Sequence, residues 1–171
     1  MSKISVNIKG LSLQEFSKGI TPLEIMHDTK GISKDSIICK VDGVLTDLSA
    51  ELLNDCDLQF MDAKSKDGHS VLLHSTAHLM AQAVKRLYPK TKVTIGPYLE
   101  NRFYYDFDVE TPFSEEDLSK IEKEMVKISE ENLMITHEIK SRKDALSYFD
   151  KIKENYKVEI INDLDKNEIL K

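Results

Sequence analysis

Two histidines lie four residues apart in the segment His74-Ser75-Thr76-Ala77-His78. Residues four apart share one face of a helix, so the two imidazoles would be adjacent and could move protons, orient a water or bind a metal ion. The segment lacks the glutamate that zinc proteases carry directly after the first histidine, and the sequence shows no evident third or fourth ligand. Three interpretations stay open on spacing alone: solvated surface residues, a metal-dependent hydrolase, or one wall of a cleft.

The helix that carries these histidines is predicted from about Val71 to Tyr88, because Pro89 stops it. One broad face is apolar and is expected to pack on the core of its domain; it comprises Leu72, Leu73, Thr76, Leu79, Met80, Ala83, Val84 and Leu87. The opposite face carries His74, His78, Ala81 and Lys85. The periodicity therefore predicts that both histidines point away from the core.

The composition is that of a soluble globular protein, with 40% apolar and 32% charged residues among 171. The net charge of -6 and the pI of about 5.4 argue against a broad nucleic-acid-binding face, since phosphate contacts need clustered cations. The sequence has neither a signal-peptide pattern nor a long apolar run, so we expect a cytoplasmic protein without membrane contact. Cys39 and Cys56 lack metal or redox spacing and are predicted to be buried thiols.

The first 62 residues predict a compact unit with the order strand, strand, helix, strand, strand, strand. Apolar residues alternate with polar ones from Ile4 to Ile8, which indicates a strand with one buried face. Thr21-Pro22-Leu23-Glu24 is a helix start with a capping box, and Asp42-Gly43 is a tight turn between two strands. This order is a ubiquitin-like β-grasp pattern.

A second unit is predicted over residues 69–171, after a polar linker at 63–68. It would contain the histidine helix, a long helix that begins after Ser114, and a short helix at Ser141–Phe149. Four strands are predicted between these helices and after them: Lys92–Ile95, Arg102–Asp108, Leu133–Lys140 and Tyr156–Ile161. The fold class is therefore α+β, a β-grasp module followed by a two-layer α/β domain.

Several stretches of the chain together resemble one protein family. The run from His74 to Pro89, the segment Ile95-Gly96-Pro97, the segment Phe103-Tyr104-Tyr105-Asp106-Phe107-Asp108 and the triplet Tyr156-Lys157-Val158 resemble, in order and spacing, the editing domain of bacterial-type threonyl-tRNA synthetases. The first unit likewise resembles the TGS domain of that family. The resemblance covers essentially the whole chain and identifies it as similar to the amino-terminal part of such a synthetase.

The resemblance implies hydrolysis of wrongly made Ser-tRNA(Thr), and it assigns roles to five residues. By motif match, His74 would handle protons or orient the water, and His78 would be its neighbour on the same wall. Lys157 would be a cation near the ester or the leaving hydroxyl. Tyr105 would contact the terminal adenosine, and Gly96 would let the backbone approach the substrate.

The family's editing site also has a Cys-x-x-x-His segment, which the resemblance places beyond Lys171. The same comparison implies that ATP and zinc belong only to the catalytic domain, so no cofactor and no metal are expected in this chain. The expected partners are the acceptor end of tRNA(Thr) and the remainder of the synthetase, whose catalytic domain would form a homodimer. This chain alone would not aminoacylate tRNA.

Simpler alternative interpretations of the same residues stay open. The second unit could be scaffold in a noncatalytic TGS protein that binds RNA, a nucleotide or a protein. Lys157 could be the solvent-facing position of its predicted strand, and Gly96-Pro97 could be only a turn. Tyr104 and Tyr105 would point to opposite faces of a strand, so one of them is expected in the core.

Overall fold

The computed structural model describes residues 2–94, 96, 98–99, 101–135 and 138–165. Two compact units divide the chain, Met1–Leu73 and His74–Lys171. Both combine helices with β-strands, so the fold class is α+β, as predicted. No helix among the described residues is both long and apolar enough to cross a membrane.

Unit 1 is built on one five-stranded sheet. Its elements are β1 (Lys3–Ile8), β2 (Leu13–Ser17), α1 (Pro22–Asp28), β3 (Ser36–Val41), β4 (Val44–Thr46) and β5 (Cys56–Asp62). The strand order across the sheet is β2-β1-β5-β3-β4; β1 and β5 pair in parallel, and the other neighbours are antiparallel. Every strand and helix predicted for this part of the chain is present.

The core of unit 1 lies between this sheet and α1. Ile4, Val6 and Ile8 are all buried, as the period-two pattern of β1 predicts, and they pack with Ile25 of α1 and Leu58 of β5. The start of α1 is fixed by the predicted capping box, in which the Thr21 hydroxyl accepts from the Glu24 amide while the Glu24 carboxylate accepts from the Thr21 amide.

The two thiols of unit 1 differ in burial. Cys39 is fully buried in β3, and burial is the main cause that raises the pKa of its thiol to about 12. Cys56 is half-buried at the start of β5, and its pKa is also raised, first by burial and then by nearby carboxylates. The prediction of buried thiols is therefore confirmed for Cys39 and holds in part for Cys56.

The described residues of unit 2 form helices and four strands of two residues each. Helix α2 (Lys66–Leu87) includes the boundary between the units, and the later elements are β6 (Lys92–Val93), β7 (Tyr98–Leu99), β8 (Arg102–Phe103), β9 (Phe107–Asp108), α3 (Glu115–Glu130), α4 (Arg142–Lys151) and α5 (Asn155–Asp163). β6 pairs with β9, and β7 pairs with β8, both antiparallel. Ala83 and Val84 of α2 pack in one buried cluster with Ile121 and Ile128 of α3.

The predicted strand Tyr156–Ile161 is wrong, because these residues lie in α5. Six residues are too few to separate an alternating pattern from a helical one when most are apolar. In α5, Val158 and Ile161 are three apart and turn to the same side, where Ile161 is buried and Val158 half-buried. Lys157 therefore belongs to the first turn of a helix.

Other elements of unit 2 are shorter than predicted or differ in type. The described residues of Leu133–Lys140 form no strand, and His137 lies outside the described residues. The predicted strand Arg102–Asp108 is two short strands with an irregular segment between them, while Lys92–Ile95 is reduced to Lys92–Val93, with Ile95 outside the described residues. Residues 66–68 of the predicted linker are already helical.

Candidate functional site

Helix α2 brings His74 and His78 into direct contact. Their Nε2 atoms are 3.0 Å apart, and their ring centroids are separated by 4.6 Å at an interplanar angle of 73°. Such a distance requires one Nε2 to donate a hydrogen to the lone pair of the other. The four-residue spacing thus gives a hydrogen-bonded imidazole pair, as expected for one face of a helix.

The environment of His78 favours its neutral form. The pKa of His78 is lowered from 6.5, first by partial burial, then by the adjacent His74, and then by the positive charge of Lys157. A neutral imidazole at neutral pH can accept a proton or orient a water. His78 is therefore favoured in the neutral form that a general base needs.

Helix α5 supplies the cation of the site. Lys157 stands in the first turn of α5 and is half-buried, and its charge acts on His78 across the space between the two helices. Because Lys157 is in a helix, the residues on its side of the chain are those three or four positions away. In the predicted strand they would have been two positions away. Lys157 shares that side with Glu154, the residue before α5.

Tyr105 and Gly96 are neighbours within unit 2. A side chain on Gly96 would place its Cβ only 2.0 Å from Cδ2 of Tyr105, so the tyrosine ring occupies the space that any other residue would need. The same ring stacks on Phe107, with centroids 5.0 Å apart and planes 21° from parallel. Tyr105 is half-buried and Tyr104 is exposed, which agrees with the expectation that one of the two points inward.

Two charged residues near these groups were not assigned a role from the sequence. Nζ of Lys85 is 3.0 Å from Oε1 of Glu154. The pKa of Tyr105 is raised, first by burial and then by the negative charge of Glu154. Glu154 thus lies close to Tyr105 while preceding the helix that carries Lys157. The available signals were the seven-residue spacing of His78 and Lys85 on α2 and the three-residue spacing of Glu154 and Lys157.

Both histidines are exposed on α2, as predicted for side chains that point away from the core, but two other residues of the helix differ from the prediction. Ala81, predicted to point outward with the histidines, is buried, and so is Ala77. Leu72, predicted to face the core, is 43% exposed. The prediction followed side-chain hydrophobicity, whereas packing against a helix also selects small side chains such as alanine.

A metal centre at the histidine pair would need further ligands. Within the described ranges, no three side chains of His, Cys, Asp or Glu are grouped so that they could hold a metal ion. That this chain needs no metal and no cofactor stays a prediction.

Comparison with known proteins gives a consistent set of relatives, although no family model matches the chain. It is 45% identical over 165 residues to the threonine–tRNA ligase of Pelobacter propionicus, which covers 96% of this chain and 26% of the ligase. It is 42% identical over 168 residues to that of Acetivibrio thermocellus (98% and 26%) and 46% identical over 155 residues to that of Fusobacterium nucleatum (90% and 24%). The chain therefore spans about a quarter of the length of these relatives.

Proposed function

This chain belongs with the amino-terminal region of the threonine–tRNA ligases, and from that premise we propose that it contributes to the hydrolysis of serine wrongly attached to tRNA(Thr). The observation that carries the proposal is the contact between His74 and His78, with their Nε2 atoms 3.0 Å apart and the charge of Lys157 acting on His78. A neutral base beside a cation is the combination that ester hydrolysis requires.

A threonine-specific ligase has a physical reason to need a hydrolytic site. Serine lacks only one methyl group of threonine, and a missing methyl group changes binding by about 1 to 3 kcal/mol, which is too little for accurate selection. Hydrolysis after the transfer removes the wrong product in a second, independent step. The proposed site would act on the ester that joins serine to the terminal ribose.

The imidazole pair would activate the water in this reaction. The imidazole that donates through Nε2 has its free lone pair on Nδ1, and this nitrogen takes a proton from the water as the oxygen attacks the ester carbon. The other imidazole holds the first in its reactive orientation. The C–O bond to the ribose then breaks, and the ribose oxygen leaves as a hydroxyl with a proton from the same pair. Because the pKa of His78 is lowered, the neutral form of His78 is favoured at neutral pH.

Lys157 would stabilise the negative charge that develops on the ester during the attack. A positioned ammonium group is effective in this role when the site is partly shielded from water. Its location in the first turn of α5 supports this, since the charge acts on His78 from a different element. Lys157 would then serve as the electrostatic partner of the base.

Tyr105 would contact the terminal adenosine, with Gly96 beside it, as the family resemblance implies. The close contact of Gly96 with the Tyr105 ring supports a fixed ring position, although it also gives Gly96 a sufficient packing role of its own. An ordered aromatic ring is a suitable platform for a base. Of the two, Tyr105 is therefore the stronger candidate for substrate contact.

Unit 1 would be the TGS domain of the ligase, and unit 2 part of its editing domain. The order β2-β1-β5-β3-β4, with a parallel central pair and one helix, supports a ubiquitin-like β-grasp. The proposed partners are the acceptor end of tRNA(Thr) and the rest of a homodimeric ligase, in which ATP and zinc would serve the catalytic domain. Its location would be the cytoplasm.

The test is hydrolysis of Ser-tRNA(Thr) by a full-length ligase that carries this segment. We expect His74→Ala to slow deacylation by about a hundredfold or more, because the loss of a general base costs about 10²–10⁴ in rate, while threonylation is unchanged. His27→Ala, in α1 of unit 1, is the matched histidine control. Unchanged deacylation in His74→Ala would remove the pair from the mechanism.

A further inference from the structure

An ion pair connects α2 with the start of α5. The Lys85 ammonium lies 3.0 Å from Oε1 of Glu154 and also donates to two backbone carbonyls, at 3.3 Å to Pro89 and 3.1 Å to Thr91. The side chain of Glu154 is only 14% exposed. Because the ammonium has three fixed acceptors, it holds the carboxylate at a defined point beside α2.

The backbone of Glu154 holds the first turn of α5. Its carbonyl accepts from the amides of Lys157, at 3.0 Å, and Val158, at 3.2 Å, while its own amide donates to Phe149 at 2.9 Å. Glu154 is the N-cap residue of α5, yet its side chain makes no capping hydrogen bond and instead pairs with Lys85. The side chain therefore anchors the helix start to α2, whereas an N-cap side chain would ordinarily bond within its own helix.

The ion pair and the electrostatic interaction of Lys157 with His78 involve residues that are regularly spaced on the two helices. Lys85 follows His78 by seven residues, about two turns, and so lies on the same side of α2. Lys157 follows Glu154 by three residues and lies on the same side of α5. Lys85 and Glu154 thus form an ion pair on the same sides of the two elements as His78 and Lys157, which interact electrostatically.

We propose that Lys85 and Glu154 are positioning residues, whose ion pair fixes the first turn of α5 so that Lys157 is held beside the histidine pair. The inference deepens the proposed editing function, and its consequence for catalysis rests on that function. The geometric claim does not, because the position of Lys157 can be measured through its effect on His78 without any substrate.

The rival interpretation is a salt bridge that only adds stability. The Lys85 side chain is 36% exposed, so water screens part of its attraction to Glu154, and such a pair can stabilise the fold without affecting a neighbouring site. The two interpretations differ in what they predict for His78, which is faced by His74 on α2 and by Lys157 on α5. A positioning pair controls the distance of Lys157 from His78, whereas a merely stabilising pair does not.

The first experiment measures the pKa of His78 by NMR titration of this chain and of Glu154→Gln. Removal of a negative charge by itself lowers the pKa of a nearby histidine, whereas release of Lys157 removes one of the causes that lower it. The two effects have opposite signs. We expect the pKa of His78 to rise in Glu154→Gln and in Lys157→Met; an unchanged or lower pKa in Glu154→Gln would overturn the proposal.

The matched control is Glu131→Gln. Glu131 pairs with Arg86, the residue next to Lys85 on α2, and its Oε1 is 2.6 Å from Nη1 of Arg86. Glu131 is the C-cap residue of α3, so this ion pair joins α2 to α3 and not to α5. This substitution has the same chemistry and the same change of charge as Glu154→Gln. We expect it to leave the pKa of His78 where it is, and an equal rise in both variants would contradict a specific role of Glu154.

Conservative rescue provides the second experiment. Lys85→Arg retains donors for Glu154 and the two carbonyls, so it should preserve the low pKa of His78, whereas Lys85→Met should raise it. In a ligase that carries this segment, Glu154→Gln should slow deacylation of Ser-tRNA(Thr) by about tenfold or more, since misplacement of catalytic groups is costly. If the pKa changes as expected but His74→Ala leaves deacylation unchanged, the positioning role stands and the editing function fails; the reverse pattern refutes only the positioning role.

Discussion

The buried residues of unit 1 are mainly branched aliphatic side chains, such as Val6, Ile8 and Leu58, on a five-stranded sheet. On α2 of unit 2 the buried residues include three alanines, Ala77, Ala81 and Ala83. A branched side chain buries more apolar area than alanine and gains more free energy from it. An alanine, in turn, lets a neighbouring element approach closely. The difference indicates that the core of unit 1 gains more free energy from each buried side chain, whereas the core of unit 2 joins small residues to larger ones such as Val84, Ile121 and Ile128.

The largest expected effect comes from opening the core of unit 1. Leu58 is 1% exposed and lies on β5, between β1 and β3. Leu58→Ala should lower the free energy of unfolding of unit 1 by about 2–5 kcal/mol through lost burial and a cavity. Amide hydrogen exchange, read separately for the two units, measures the loss.

Leu13→Ala is the control for this substitution, because Leu13 is 64% exposed. It should change stability by no more than about 0.5 kcal/mol. The contrast between the units would fail if Leu58→Ala removed protection from unit 2 as strongly as from unit 1.

An intermediate effect is expected from Gly96→Ala in unit 2. The new Cβ would lie 2.0 Å from Cδ2 of Tyr105, so the ring must move, at a cost of about 1–3 kcal/mol. Urea unfolding of unit 2 and the NMR signals of the Tyr105 ring report the change. In the background of Tyr105→Ala the same substitution should cost less, because its clash is gone. Equal costs in both backgrounds would show that the ring does not constrain this position.

The smallest effect concerns pH. Because the pKa of His78 is lowered from 6.5 in the folded state, the unfolded chain takes up its proton at a higher pH than the folded chain. The contribution of His78 to stability is therefore complete above pH 6.5 and is lost as the pH falls through the folded pKa. Urea unfolding of unit 2 between pH 7.5 and 5 should show this slope.

His78→Gln should remove this share of the slope, and Lys157→Met should reduce it, because Lys157 is one cause of the lowered pKa. If the stability of unit 2 depended on pH as strongly in His78→Gln as in the unsubstituted chain, groups other than His78 would be responsible for that dependence. The result would sharpen the contrast with unit 1, whose core is apolar.

The sequence predicts unit 1 well because its signals are local. Alternation from Ile4 to Ile8, the capping box at Thr21 and the turn at Asp42-Gly43 each follow from neighbouring residues alone. The contact of His74 with His78 is also local, since both lie on one helix. These features need no knowledge of tertiary packing.

Unit 2 is harder to predict because its decisive contacts are distant in sequence. The apolar residues of Tyr156–Ile161 fit the pattern of a strand as well as that of a helix. The burial of Ile161 in α5 decides between the two. Lys85 and Glu154 form an ion pair although they are far apart in the sequence, so the residues around each of them do not indicate its partner. The buried position of Ala81 likewise depends on what covers α2, which periodicity does not report.

The state of the two thiols has a practical consequence. Thiolates are the species that react with maleimides, and a raised pKa leaves few of them at neutral pH, as for Cys39 and Cys56. Toward such reagents both thiols should therefore react more slowly than an exposed cysteine of ordinary pKa, and Cys39 most slowly. A single cysteine introduced at an exposed site of unit 2 would accept a fluorophore or spin label selectively, with both native residues left in place.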